Sequence, residues 1–227
     1  MTAAPRTLLI LCATIACAAV AAREAAAQPA LGSGRLEVSA GAAFVGEQTY
    51  GSVDANETTA TGGAFRLFST SSELGSAPGL DARVGVRVAG TLVVEADLSY
   101  TRPELRITTS SDVESAANVT ATEPLRQYAV GGGATWYVPT TNRLVPFVAG
   151  GGGYLRQLHD RALLVDTGRY YQFGGGVVYL LSQRPGAAMK ATGIRVDARA
   201  VVFKDGVALD GATHLAPSLS GSFVIRF

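Results

Sequence analysis

The sequence predicts an all-β protein, an eight-stranded antiparallel up-and-down transmembrane β-barrel. Three observations predict it. Apolar and polar residues alternate with period two along the chain, short and long connections take turns between the alternating segments, and aromatic residues gather at the segment ends.

The first stretch is set aside as an export signal, residues 1–27, leaving 28–227 as the barrel domain. Arg6 gives a positive n-region, Leu8 to Ala22 an apolar h-region, and Ala25-Ala26-Ala27 before Gln28 the small residues a signal peptidase accepts. A helical anchor needs about 20 apolar residues, and this run is shorter and closed by Arg23 and Glu24. Neither Cys12 nor Cys17 has the residues of a lipobox before it, so a lipid anchor is not expected. Both cysteines fall in the leader. The mature chain therefore has no disulfide, thiol nucleophile or thiolate ligand. Losing Arg6, Arg23 and Glu24 takes Lys+Arg from 19 to 17 and Asp+Glu from 18 to 17, a net charge of zero. No basic patch argues for nucleic acid.

The alternation reads as eight strands. The first, about Arg35 to Gly46, puts Leu36, Val38, Ala40, Ala42 and Phe44 on one face. The second, Leu80 to Val88, and the third, Leu92 to Thr101, set valines, leucines and alanines against Asp81, Arg83, Arg87, Glu95 and Asp97. The fourth, Leu125 to Val138, has Tyr128, Val130, Ala134, Trp136 and Val138 together. The fifth, Leu144 to Gln157, contains Gly150 to Gly153, and its facing is not set by the pattern. The sixth, Arg169 to Ser182, groups Tyr171, Phe173, Val177, Tyr179 and Leu181. The seventh, Ile194 to Phe203, opposes its apolar face with Arg195, Asp197 and Arg199. The eighth, His214 to Phe227, opposes Leu215, Leu219, Phe223, Ile225 and Phe227 with serines and Arg226.

The connections separate a membrane barrel from a soluble sandwich. Those after strands two, four and six are short (Ala89-Gly90-Thr91, Pro139 to Arg143, Gln183 to Gly193). Those after one and three are long (Glu47 to Gly79, Arg102 to Pro124), and those after five and seven are intermediate. Membrane barrels follow this parity, and sandwiches have no reason to. GGAFRLF at Gly62 to Phe68 reads as strand-like, so the first long loop is expected to hold extra strand structure, with this segment as an external extension of strand two. Trp136, Phe147, Tyr179 and Phe227 mark one end, and Phe44, Tyr100, Tyr128, Tyr154, Tyr171 and Phe203 the other, as two girdles.

The face opposite the aliphatic one collects Arg35, Arg83, Arg87, Arg195, Arg199 and Arg226 against Glu37, Asp81, Glu95, Asp97 and Asp197. Charges inside a narrow barrel must be paired. Arg83 and Arg87 are expected near Glu95 and Asp97 across the Gly90 hairpin, and Arg226 near Glu37 where the barrel closes. An eight-stranded barrel has room for side chains and not for an aqueous pore, so an arginine–carboxylate filling is expected. A gated narrow path through the same charges is the alternative.

The last residues, SLSGSFVIRF, alternate Leu219, Phe223 and Ile225 before Phe227, which resembles the C-terminal signal read by the barrel assembly machinery. RLVPFVAGGGGYL at Arg143 to Leu155, YYQFGGGVVYLL at Tyr170 to Leu181 and GIRVDARAVVF at Gly193 to Phe203 resemble the small outer-membrane β-barrel family, the OmpA/OmpX-like "porin family" grouping. That resemblance implies a Gram-negative outer membrane, with its lipid and lipopolysaccharide, the assembly machinery and periplasmic chaperones as partners. It selects no single function. With no domain following Phe227, a peptidoglycan tether is not expected.

Some membrane barrels are enzymes, and His159-Asp160 with Asp205, Asp210 and His214 is the candidate cluster here. The residue types fit a general base and its orienting acid, but their spacing matches no known motif. Solvated loop residues are the simpler reading. A two-histidine metal site would need convergence that spacing does not show. The glycine runs lack the Lys-Ser/Thr of a phosphate loop. The sequons at Asn56 and Asn118 carry no weight in a bacterial export context. No catalytic, cofactor or metal residues and no cofactor are expected. The expected role is structural, or surface interaction through the loops at Glu47 to Gly79 and Arg102 to Pro124. A small channel is the second possibility, and a lipid A- or peptide-modifying enzyme the third.

Overall fold

The computed structural model describes residues 34–58, 62–111, 117–159, 164–184, 186–207 and 212–227. The expected signal segment, Asp160 and Asp210 lie outside them. Eleven strands run β1 (Leu36–Val45), β2 (Gln48–Thr58), β3 (Ala64–Leu74), β4 (Ala77–Ala89), β5 (Leu92–Thr101), β6 (Glu104–Ser110), β7 (Val119–Tyr137), β8 (Leu144–His159), β9 (Val165–Gln183), β10 (Ala191–Asp205) and β11 (Thr213–Arg226).

Eight of them pair antiparallel into a closed ring, β1-β4-β5-β7-β8-β9-β10-β11 and back to β1. Closure sets Glu37 opposite Arg226 and Phe44 opposite Leu219. Every ring strand satisfies both edges, so the ring leaves no free strand edge.

The remaining three strands correct the expected count. The two long connections are folded: β2, β3 and β6 pair in order with the first part of β7, as a four-stranded extension beyond one mouth of the ring. Of Gly62 to Phe68, the stretch from Ala64 does belong to strand, and β3 leads into β4 across only Gly75 and Ser76. The strand that pattern reading begins at Leu125 starts at Val119, because β7 serves both layers: β6 pairs Val119 to Pro124, and β5 pairs Gln127 to Trp136.

Along the middle of the ring, outward positions are apolar on all eight strands. Leu80 (63% exposed), Phe173 (60%) and Leu219 (57%) are typical. Inward positions carry Glu37, Asp81, Arg83, Glu95, Arg195, Asp197, Arg199 and Arg226, all buried. The arrangement is inside-out relative to a water-soluble protein. Two girdle assignments are overturned: Phe147 and Phe203 are buried, because they stand at inward positions of β8 and β10. Tyr100, Tyr128, Tyr154 and Tyr171 do face out, with Tyr100 and Tyr128 in ring contact at 5.0 Å. Among the described residues no helix is long and apolar enough to cross a membrane, which says nothing of strands.

Candidate functional site: the lumen and its extension

The interior is layered from the short-turn end upward. First comes an apolar layer of Val93, Tyr137, Val145, Phe147, Leu180 and Val224. Arg226 and Glu37 pair beside it at 2.7 Å, and the Tyr137 hydroxyl donates to Glu37 at 2.5 Å. Next, the fully buried Arg195 reaches Glu95 at 3.2 Å and Glu37 at 3.7 Å, with its guanidinium 4.3 Å over the Phe147 ring. Thr135 donates to Glu95 at 2.9 Å.

Asp197 is the second hub. It takes Arg199 at 2.7 Å, Arg83 at 2.9 Å and Arg195 at 3.4 Å, and accepts from Ser220 at 3.1 Å. Arg83 also holds Asp81 at 2.8 Å. Above them is a cavity of about 50 Å³, bounded by Arg83, Asp97, Tyr170, Arg199 and Ser220 among others. That is room for a water or two, not a path. An apolar layer of Ala129, Leu155, Tyr170, Val201, Phe203 and Ala216 follows. The base of the extension then covers the mouth with Tyr50, Leu74, Leu105 and Leu125, and Tyr50 meets His214 of β11 edge-on at 4.7 Å.

The expected lumen residues thus have definite places. Arg35 is not among the buried set: it precedes β1 and is exposed, because the strand begins one residue after it. Without Arg35 the inward charges are five arginines and five carboxylates. Arg87 is half-buried at the short-turn mouth. Asp97 is opposite Arg83 in register, yet its hydrogen bonds come from the Tyr170 hydroxyl and from Gln172 at 3.3 Å. Arg83 turns to Asp81 and Asp197 instead. Pattern reading missed the hydrogen-bonding residues Thr135, Tyr137 and Tyr170, while Ser220 falls on the inward face it assigned to the last strand. Thr135 and Tyr137 carried a usable signal, being the inward alternates to Trp136 on β7.

At the rim, the candidate histidine cluster does not assemble among the described residues. His159 Nδ1 lies 3.0 Å from Glu123 of β7 and its Nε2 3.1 Å from Asp166 of β9. Burial works to lower the His159 pKa, but the hydrogen bonds to Glu123 and Asp166 raise it above its usual value overall. His214 instead packs on Tyr50. The described residues contain no group of three side chains able to hold a metal ion.

No protein-family model matches the chain, and no curated protein matches it. Solved structures do. Neisserial surface protein A (NspA) superposes over 85% of this chain and 97% of its own, with TM-score 0.50 and 14% identity. In fold, the chain resembles a small outer-membrane β-barrel protein. OprG, an outer membrane protein of Pseudomonas aeruginosa, covers 86% of this chain and 96% of its own at TM-score 0.49 and 12% identity. Ail, the attachment invasion locus protein of Yersinia pestis, solved with the heparin analogue sucrose octasulfate, covers 84% and 98% at TM-score 0.37 and 13% identity.

Proposed function

We propose that the chain is an outer-membrane β-barrel protein, exported on a cleaved signal of residues 1–27, with a structural or surface-interaction role and no enzymatic one. The observation that carries this reading is the combination of a filled lumen with a four-stranded extension at one mouth. The outward belt supports a membrane setting. On β5 it runs from Leu92 to Tyr100, about 27 Å along the strand and roughly 20 Å of height at a tilt of about 40°, near the apolar band of such barrels. Trp136 and Tyr179 then mark the periplasmic interface, and Tyr100, Tyr128, Tyr154 and Tyr171 the external one. The extension stands outside the cell, and Leu219, Phe223, Ile225 and Phe227 present the assembly signal.

The filled lumen argues against passive solute passage. Both ring nitrogens of His159 are engaged by carboxylates, which leaves neither free to act as a base. Planar-bilayer recording with protease shaving of intact cells tests the reading. No open steps and cleavage confined to residues 48–74 and 104–124 are expected. Large, reproducible conductance steps would replace this reading with a channel.

A further inference from the structure

The ring's outer wall is not equally charged all round at its external edge. Just beyond the tyrosines, Arg102, Arg126, Arg156, Arg169 and Lys204 are all exposed, and strand alternation puts each on the outward face. They follow one another round the wall. Arg102 directly follows β5, whose last residue Thr101 pairs with Gln127, so Arg102 and Arg126 flank the same register. Arg126 is opposite Leu158, two residues from Arg156 on β8. Arg156 is opposite Thr167, two residues from Arg169 on β9, and Arg169 is directly opposite Lys204 on β10. Direct and diagonal neighbours on one sheet face are within about 5 to 8 Å at Cα or Cβ, so the heads of these long side chains converge.

Like charges side by side repel, and this arc has little to neutralise it. Among the described residues, Arg102, Arg156, Arg169 and Lys204 form no ion pair. Glu104 lies on the same outward side and pairs Arg106 at 3.7 Å. Asp205, exposed beside Lys204 with φ 66°, forms no ion pair among the described residues. The corresponding outward positions on β11, β1 and β4 (Thr213, Leu215, Phe44, Pro78, Leu80) carry no charge at all.

Below the arc the wall is hollowed. Outward Gly132 pairs with Gly152, and Ala134 with Gly150, across the β7–β8 seam. Phe173 and Tyr171 of β9 stand alongside, opposite Gly150 and Gly152. A concavity lined by Tyr128, Val130, Tyr154 and Arg156 among others opens on the outer surface just above these small residues, against the arc, while the Tyr171 ring lies over Gly152. A furrow running down from a row of cations suits a molecule with an anionic head and an apolar chain.

We propose that this β5–β10 wall binds a phosphorylated glycolipid of the outer leaflet. Its phosphates are held by Arg156, Arg169 and Lys204, flanked by Arg102 and Arg126, and one acyl chain starts in the concavity between Tyr128, Val130 and Tyr154 and runs down over Gly132 and Gly150. Phosphate monoesters carry up to two charges and suit guanidinium forks, so they neutralise such an arc better than a diester does. The site rests on the outer-membrane reading and gives that reading a specific lipid-facing wall.

The test is native mass spectrometry of the chain folded in detergent micelles, titrated with bisphosphorylated lipid A, dephosphorylated lipid A or phosphatidylglycerol. The chain is expected to retain bisphosphorylated lipid A about tenfold better than either other lipid. Arg156→Gln/Arg169→Gln/Lys204→Gln should remove that preference. Arg143→Gln/Arg184→Gln, at the short-turn end, should keep it. Equal retention by the triple variant, or equal retention of all three lipids, overturns the site. Heat-modifiable gel migration and insertion into phosphatidylcholine vesicles are read in parallel. A chain that neither folds in micelles nor inserts overturns the membrane reading itself, and the site with it.

Discussion

Arg195 on β10 and Glu95 on β5 meet at 3.2 Å across the full width of the lumen. Three strands separate β5 from β10 in either direction round the ring, so this contact spans its diameter. Arg83 with Asp197, Tyr137 with Glu37 and Tyr170 with Asp97 reach nearly as far. The interior is cross-braced by charge-assisted hydrogen bonds, which are the stronger kind.

Arg195→Met should therefore be among the most damaging substitutions. It leaves Glu95 and Asp197 buried with one cation fewer, a loss of about 3–5 kcal/mol for a broken buried pair. Urea unfolding in vesicles, read by the gel shift of the folded form, should show this as a lower midpoint. Glu95→Gln added to Arg195→Met should recover part of it, since an amide left without its arginine costs less than a carboxylate. A double variant weaker than the wild type by the full sum of the two single losses would show that the two residues act independently.

Trp136 is the only tryptophan in the chain and lies 43% exposed on the outward face, its indole donating to Thr91 at 2.8 Å. In vesicles its emission should shift to the blue. Lipids brominated near the headgroup should quench it more than lipids brominated at the chain ends, since an indole with a polar anchor favours the interface. Emission unchanged between buffer and vesicles would contradict a membrane-facing belt.

His159 fastens the upper part of β7 to β8 and β9 through Glu123 and Asp166. Its pKa is raised in the folded chain, so its stabilisation is fully present below the unfolded value of about 6.5 and is lost as pH rises through the folded value. Amide exchange at Val119 to Glu123 should accelerate between mildly acidic and mildly alkaline pH beyond its intrinsic dependence. His159→Gln should flatten that excess. An unchanged profile in the variant would remove His159 as the cause.

Two glycines of neighbouring strands should respond in opposite ways. A Cβ at Gly41 would strike the backbone of Gly221 and Ser222, whereas a Cβ at Gly221 meets nothing within 4 Å. Gly41→Ala should cost about 1–3 kcal/mol through forced backbone movement, and Gly221→Ala should be close to neutral. The same unfolding assay compares them, and equal effects would mean that the β1–β11 seam is looser than its register implies.

Much of the ring is legible in the sequence because facing is a local property. Side chains alternate along a strand, so Val84 and Arg83 must point to opposite faces whatever the strand pairs with. A slip of one residue would turn the apolar face inward, and closure makes the first and last strands neighbours, which is why Glu37 and Arg226 can be matched from the sequence. The misreadings have physical causes too. Glycines hide the facing of β8, so Phe147 was placed on the wrong side. Arg35 belongs to the right alternation but lies just before the strand begins, where its side chain stays exposed. The long connections mix serine, threonine and charge on both faces, and such strands show no core pattern although they pair.

The sequence by itself determined an alternating ring, closing on the strand that ends at Phe227, with its charges turned inward and nearly balanced. Only the tertiary structure decided which charges meet. Asp97 gives up its register neighbour Arg83 for Tyr170, and Arg195 crosses the whole lumen to Glu95, because curvature brings together strands that no local pattern relates. The same closure gathers Arg156, Arg169 and Lys204, from three strands, into one external arc.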